Sequence, residues 1–267
     1  MNRIDETFKK LKQKKETALV GFITAGDPDI STSERIITGM CGSGLDILEL
    51  GIPFSDPTAD GPVIQRSSAR AIAQGINTSK VLEMTAGIRR QTQIPIILFS
   101  YYNPIHAYGV KQFYHDAAAA GADGILVVDL PPEESDEMTS QNRGHDLALI
   151  RLVAPTTPPE RMKYIAASAK GFLYMVSKTG VTGSDGLDTR DIREHMRQLR
   201  LHSALPICVG FGISTAEDAA AVAALADGVV IGSAFERLIE ENLNDAGLDL
   251  LLAERVKAYK TATMGAK

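Results

Sequence analysis

The chain contains no tryptophan, only two cysteines, and aromatic residues at just 6% of its 267 positions. Cys41 and Cys208 stand far apart in apolar surroundings, so they offer neither a disulfide framework nor a Cys-x-x-Cys metal site. That usage suits a reducing compartment, and a cytoplasmic location is expected. The five histidines (His106, His115, His145, His195 and His202) form no His-x-His or His-x-x-x-His pair, and a histidine-based metal site is therefore not expected. No stretch approaches the roughly 18 continuous apolar residues that a membrane span needs. Basic charge is not in excess either. With 28 Lys+Arg against 33 Asp+Glu the net charge is −5, which argues against a nucleic-acid-binding face. A small anionic ligand stays possible, because backbone amides at a helix end hold a phosphate without any lysine.

What is present is aliphatic and turn-rich: 44% hydrophobic residues and 23 glycines. Eight short apolar runs recur at 18–24, 45–50, 95–100, 124–128, 147–153, 171–176, 206–209 and 228–231. Most are too continuously apolar for half-exposed strands and read as parallel strands covered by helices. Helix signals lie between them. Thr156-Thr-Pro-Pro-Glu160 predicts an N-cap at Thr157 with a proline at the first helical position, and Ser214-Thr-Ala-Glu217 predicts a capping box. Ile4, Phe8 and Leu11 mark a short N-terminal amphipathic helix whose solvated face carries Lys9, Lys10, Lys12, Lys14 and Lys15. A final helix near 247–259 lines up Leu248, Leu251, Leu252, Val256 and Tyr259. Eight strand–helix units without a linker predict a single-domain (β/α)8 barrel over residues 1–267, with the extra N-terminal helix. A doubly wound sheet is the rival, but no Gly-x-Gly-x-x-Gly follows any run.

In such a barrel the chemistry sits where the strands end. The second run leads into the longest gap, rich in Gly, Pro and Asp. Alternation puts Leu45, Ile47 and Glu49 on one face, so an inward Glu49 is a carboxyl group at the top of an apolar interior. Burial would raise its proton affinity, which suits a group that gives and takes a proton near neutrality. A strand-end cap or an arginine pair is the other reading of Glu49. Asp56-Pro57 reads as a turn, and Asp60 as either a turn former or a site residue. Near the other end, glycines follow the last three strands. Gly212 and Gly232-Ser233 fall where barrels hold a phosphate, at the start of a short extra helix after strand eight. The segment 177–188, with Gly180, Gly183 and Gly186, reads as a closing lid.

Taken together these residues resemble the tryptophan synthase α subunit family over essentially the whole chain. Glu49-Leu-Gly-Ile-Pro-Phe-Ser-Asp-Pro-Thr-Ala-Asp-Gly-Pro62 is similar to that family's signature. It is supported by Phe22-Ile-Thr-Ala-Gly-Asp-Pro28, Tyr102-Asn-Pro104, Val128-Asp-Leu-Pro131, Gly180-Val-Thr-Gly183 and Gly210-Phe-Gly-Ile-Ser214. The resemblance implies a lyase that cleaves indole-3-glycerol phosphate into indole and glyceraldehyde 3-phosphate, within an αββα complex. The chain itself would need no cofactor, and pyridoxal phosphate would belong to the β subunit. It implies Glu49 as general acid/base, Asp60 as the partner of the indole N–H, and Thr182 as the lid residue meeting Asp60. Gly183, Gly212, Gly232 and Ser233 would hold the phosphate. Phe22, Phe99, Leu126, Tyr174 and Phe211 would line the indole pocket, and the loop at Asp56 and Pro57 would meet the partner. Phe99, Ser100, Phe172 and Lys178 depart from the family's usual residues, which bears on pocket shape rather than on the reaction. A stand-alone lyase and a non-catalytic allosteric subunit are the alternatives; retention of Glu49 and Asp60 argues against the second. A Schiff-base or metal-dependent phosphosugar barrel lacks its strand-end lysine and its ligand cluster.

Overall fold

Eight parallel strands pair in sequence order and close, the first against the eighth, into a barrel. The computed structural model describes residues 2–141, 146–176, 189–210 and 212–264. The chain runs through α1 (Arg3–Lys14), β1 (Ala18–Thr24), α2 (Ile30–Gly42), β2 (Ile47–Gly51), α3 (Pro62–Ala73), α4 (Thr78–Arg89) and β3 (Ile96–Ser100). It continues with α5 (Tyr102–Tyr108), α6 (Val110–Ala119), β4 (Gly124–Val127), a 3-10 turn (Pro132–Glu134), α7 (Asp136–Gln141), β5 (Ala148–Val153), α8 (Pro159–Ser168) and β6 (Leu173–Val176). Last come α9 (Thr189–Arg200), β7 (Ile207–Gly210), α10 (Ala216–Ala223), β8 (Gly228–Ile231), α11 (Ser233–Glu241) and α12 (Leu248–Thr263). Every one of the eight apolar runs is a strand. None of the described helices is long and apolar enough to cross a membrane.

Strand alternation sorts the apolar side chains into two cores. Val20, Ile47, Ile97, Leu126, Ile150, Tyr174, Cys208 and Val230 pack inside the barrel. Leu19, Leu48, Leu50, Leu98 and Val209 point outward into the layer shared with the helices. Leu45 is a correction to the alternation. It lies ahead of β2, which begins at Ile47, and packs in the outer layer, its Cδ1 2.8 Å from where a Cβ on Gly21 would stand.

Helix α1 seals the bottom of the barrel. Ile4, Phe8 and Leu11 belong to the interior core, and the Phe8 ring meets Phe172 at a centroid distance of 5.9 Å. Asn2 caps the helix by accepting from the Ile4 amide, while its own Nδ2 donates to the carbonyls of Asp123 and Asp146 at the feet of β4 and β5. The lysines of α1 are all exposed, as a solvated face requires.

Two caps differ from the sequence reading. Thr157 does not cap α8, whose N-cap is Pro158; its hydroxyl instead accepts from the Ala154 amide at 3.0 Å and closes the preceding turn. The capping box of α10 is made by Thr215 and Asp218, one residue beyond Ser214 and Glu217. In α12, Leu248, Leu252, Val256 and Tyr259 are buried as the stripe requires, and Leu251 is only half-buried at its edge.

Candidate active site

The carboxyl end of the barrel opens into a cavity of about 260 Å³. Glu49, Asp60, Phe22, Phe99 and Tyr174 line it together with Gly212, Gly232 and Ser233. Six segments distant in the chain are thus gathered at one mouth, because each belongs to the end of a strand or the loop that follows it.

Glu49 is the next-but-one residue after Ile47 on β2, beside Phe22 of β1 and Ile97 of β3 in the strand register. Its side chain is fully buried, and neither carboxylate oxygen has a hydrogen-bond partner among the described residues. The arginine-pair and strand-cap readings are therefore not what the barrel shows. Burial without a compensating charge pushes the Glu49 carboxyl up to about 8. The group is a buried carboxyl in the cavity wall, and its burial favours the protonated form at neutral pH.

Asp60 stands two residues ahead of α3. Its Oδ2 accepts from the Tyr101 hydroxyl at 2.9 Å, and the same phenol oxygen accepts from the Ala59 amide at 2.9 Å. Burial raises the Asp60 carboxyl, and the Tyr101 hydrogen bond opposes that rise. Tyr101 follows β3 immediately and hangs the whole loop from the third strand. It was not singled out in the sequence, although it adjoins the Tyr102-Asn-Pro104 segment. Asp56 and Pro57 form a turn on the outside of this loop. Asp56 is exposed, its carboxylate accepts from Ser55, and the Asp60 amide closes on the Pro57 carbonyl at 3.0 Å.

The apolar wall is built from rings. Phe22 and Phe99 meet edge to face with centroids 5.1 Å apart. Tyr174, fully buried on β6, has its phenol ionisation pushed well above the ordinary value, by burial first and then by the nearby Glu49. Gly210 makes room for it: a Cβ there would stand 2.2 Å from the Tyr174 hydroxyl oxygen. Leu126 is buried in the barrel interior and is not among the residues that line this cavity. Phe172, a departure from the family's usual residue, packs on Phe8 of α1. Phe211, Thr182, Gly183 and Lys178, with the segment 177–188, lie outside the described residues.

After β7, Gly212 adopts φ +72°, a conformation in which side chains are strained, and turns the chain. Gly232 and Ser233 start α11, whose first amides have no intrahelical partner and present a positive dipole end. Arg237 also lines the cavity, four residues beyond Ser233 on the same face of α11. It was missed because a single arginine in a helix ordinarily reads as surface charge; its spacing from Ser233 was the available signal. No cluster of three or more His, Cys, Asp or Glu among the described residues is arranged to hold a metal ion.

Fold and site together are those of a (β/α)8-barrel enzyme. Residues 8–263 match the family model described as tryptophan synthase alpha chain. A tryptophan synthase alpha chain of Desulfosudis oleivorans is 66% identical over 98% of this chain and 99% of its own, and one of Desulfatibacillum aliphaticivorans is 60% identical over 99% and 100%. Among solved structures, tryptophan synthase subunit alpha from Legionella pneumophila superposes with a TM-score of 0.90 at 41% identity, covering 98% of both chains. The chain belongs to the tryptophan synthase alpha chain family. It is accordingly a carbon–carbon lyase of tryptophan biosynthesis that cleaves indole-3-glycerol phosphate, and it works in complex with a β subunit.

Proposed function

We propose that Glu49 and Asp60 divide the cleavage between them, with the phosphate of the substrate seated on the first turn of α11. The observation that carries this reading is the unpartnered, fully buried Glu49 carboxyl in the wall of the same cavity as Asp60. With its carboxyl near 8, Glu49 is about 90% protonated at pH 7. It delivers that proton to the indole ring carbon that bears the glycerol chain. The positive charge this creates spreads to the ring nitrogen, where Asp60 accepts the N–H and stabilises it. The bond between the ring carbon and the glycerol chain then breaks. Its electron pair restores the aromatic ring, the adjacent hydroxyl becomes the aldehyde, and the hydroxyl proton returns to the Glu49 carboxylate. No net proton is gained or lost by the chain.

Phe22, Phe99 and Tyr174 provide a flat apolar slot suited to the indole ring. Gly212, Gly232 and Ser233 supply amides and a hydroxyl for the phosphate, an arrangement that makes a net charge of −5 no obstacle to an anionic substrate. The exposed turn at Asp56 and Pro57 is the surface offered to the β subunit, in an αββα assembly whose β chains carry pyridoxal phosphate. Cys41 and Cys208 are not joined in a disulfide, which is consistent with residence in the cytoplasm.

The test is indole release from indole-3-glycerol phosphate, measured with and without a β subunit. Glu49→Gln retains the shape but cannot exchange the proton, so turnover is expected to fall by about a thousandfold or more. Near-normal turnover of that variant in the presence of the partner would remove Glu49 from its role. Release that is equally fast without the β subunit would favour a lyase that works alone.

A further inference from the structure

Glu236 closes the first turn of the short helix whose N-terminus borders the cavity, yet its side chain is fully buried and turned away toward the barrel. Its Oε1 accepts from the Thr24 amide at the end of β1, at 2.6 Å. Its Oε2 has no donor among the described residues, and the neighbouring group is the carboxyl of Asp27. Asp27 is itself fully buried and receives both arms of Arg70, from α3, at 2.7 Å each. Arg70 also reaches Glu240 at 3.0 Å, one turn further along α11, and Glu240 is held in addition by Arg66 of α3 at 2.6 and 2.7 Å. A second tie runs beside it: the Thr24 hydroxyl is 2.7 Å from the hydroxyl of Ser67 on α3.

The charges facing Glu236 can be enumerated from each packed element. The loop after β1 presents Asp27, α3 presents Arg70, and α11 itself presents Glu240. One guanidinium and Asp27 neutralise each other through a two-pronged ion pair. A second buried carboxylate beside Asp27 would then be uncompensated, in a setting where like charges repel strongly. A neutral carboxyl group has no such conflict. Its carbonyl oxygen accepts from Thr24, and its hydroxyl donates to Asp27.

The elements joined in this way are those that form the two sides of the cavity. The first turn of α3, at Pro62, Val63 and Ile64, follows Asp60 directly and lines the cavity; so do Gly232 and Ser233 at the start of α11. We propose that Glu236 is a positioning residue that, as a neutral carboxyl group bridging Thr24 and Asp27, holds the first turn of α11 at a fixed span from Asp60 and α3. The inference rests on the seating of the phosphate on α11. Its substrate then spans the cavity between a nitrogen at Asp60 and a phosphate at α11, and that span decides how well both ends are held at once.

Burial, with the charge of Asp27 second, pushes the Glu236 carboxyl up to about 8. Rising pH therefore places two carboxylates side by side and loosens the strap. The expected signature is in KM rather than in kcat, since Glu236 touches no reacting atom.

The experiment is steady-state cleavage of indole-3-glycerol phosphate by the chain with its β subunit, from about pH 7 to about pH 9.5. It compares the parent with Glu236→Gln and Glu236→Ala, with thermal melting to verify folding. The parent KM should rise about tenfold over that range, the factor that accompanies loss of one charge-assisted hydrogen bond. The glutamine amide can accept from Thr24 and donate to Asp27 without titrating, so Glu236→Gln should rescue binding and hold its KM flat with pH. Glu236→Ala should show a KM raised about tenfold already at neutral pH, with kcat within about threefold of the parent. A Glu236→Gln KM that climbs with pH as steeply as the parent's overturns the proposal. So does a folded Glu236→Ala protein with the parent's KM. Should the parent fail to cleave the substrate at all, it is the reading of the site that fails, and the two failures are thereby distinguished.

Discussion

A dry acid in the wall of the cavity should weaken the fold in a pH-dependent way, and Glu49→Gln reads that out. Below about pH 4.5, the ordinary value of a glutamate, both the native and the unfolded chain hold the Glu49 proton, and ionisation contributes nothing. Above it the unfolded chain ionises freely, while the native chain keeps its proton until about pH 8. The native state then binds more protons than the unfolded one. Stability falls as pH rises through this window, at up to about 1.4 kcal/mol per pH unit, and the loss saturates once Glu49 itself ionises. Between pH 5.5 and pH 8.5 the two titrations differ by an amount that works out to about 3 kcal/mol. Glutamine has nearly the same volume and cannot ionise. Ionisation should therefore already favour the variant by about 1.4 kcal/mol at pH 5.5, one unit above the ordinary value, and by about 3 kcal/mol more at pH 8.5. Urea unfolding at three pH values measures it directly, because the slopes with denaturant should stay equal while the midpoints separate. Parallel stability curves for the two proteins would refute the reasoning. They would mean that water or a cation reaches Glu49 in the folded chain and that its carboxyl is not dry.

Two further substitutions probe the walls of the cavity. Tyr101→Phe removes the donor to Asp60 and the acceptor for the Ala59 amide, so kcat/KM should fall by about tenfold, with a stability loss of about 1 kcal/mol; an unchanged kcat/KM would show that the loop does not depend on the phenol. Gly210→Ala drives a methyl group against the Tyr174 hydroxyl, 2.2 Å from its intended place. Such overpacking should cost about 1–3 kcal/mol and raise KM as the ring swings into the slot, whereas a melting temperature and KM equal to the parent's would mean that β7 yields instead.

The barrel was legible in the sequence because its strands are covered on both sides and so read as short, continuous apolar runs. Glu49 was legible for the same reason, as the one carboxyl on an inward-facing position of β2. Caps were harder to locate. Ser214 and Thr215 are both good caps and Glu217 and Asp218 both good box partners, so the backbone angle at Thr215 decides between registers that sequence leaves equal. Leu45 misled because alternation was run one step ahead of the strand, where the chain is not yet extended. Tyr101 and Glu236 were not legible, since each meets its partner from a distant segment, Asp60 and Asp27 respectively, whereas Arg237 was marked only by its spacing from Ser233 on α11. Glu236 in particular reads as one more solvent-facing glutamate in a helix that also carries Glu240 and Glu241.

The helix that stoppers the barrel from below has no atom in the reaction, yet it governs the acid above it. Proton affinity at Glu49 is a property of its surroundings, and those surroundings extend down a column of side chains that ends at Ile4, Phe8 and Leu11. The lower end of the barrel is closed by a stopper kept in by the bonds of Asn2 to the carbonyls of Asp123 and Asp146. A fault in that seal would admit water from beneath, and Glu49 would drift back toward the strength of an ordinary carboxylic acid with every residue around the substrate still in place. The remotest part of the chain from the chemistry is thus one of the parts that set its working pH.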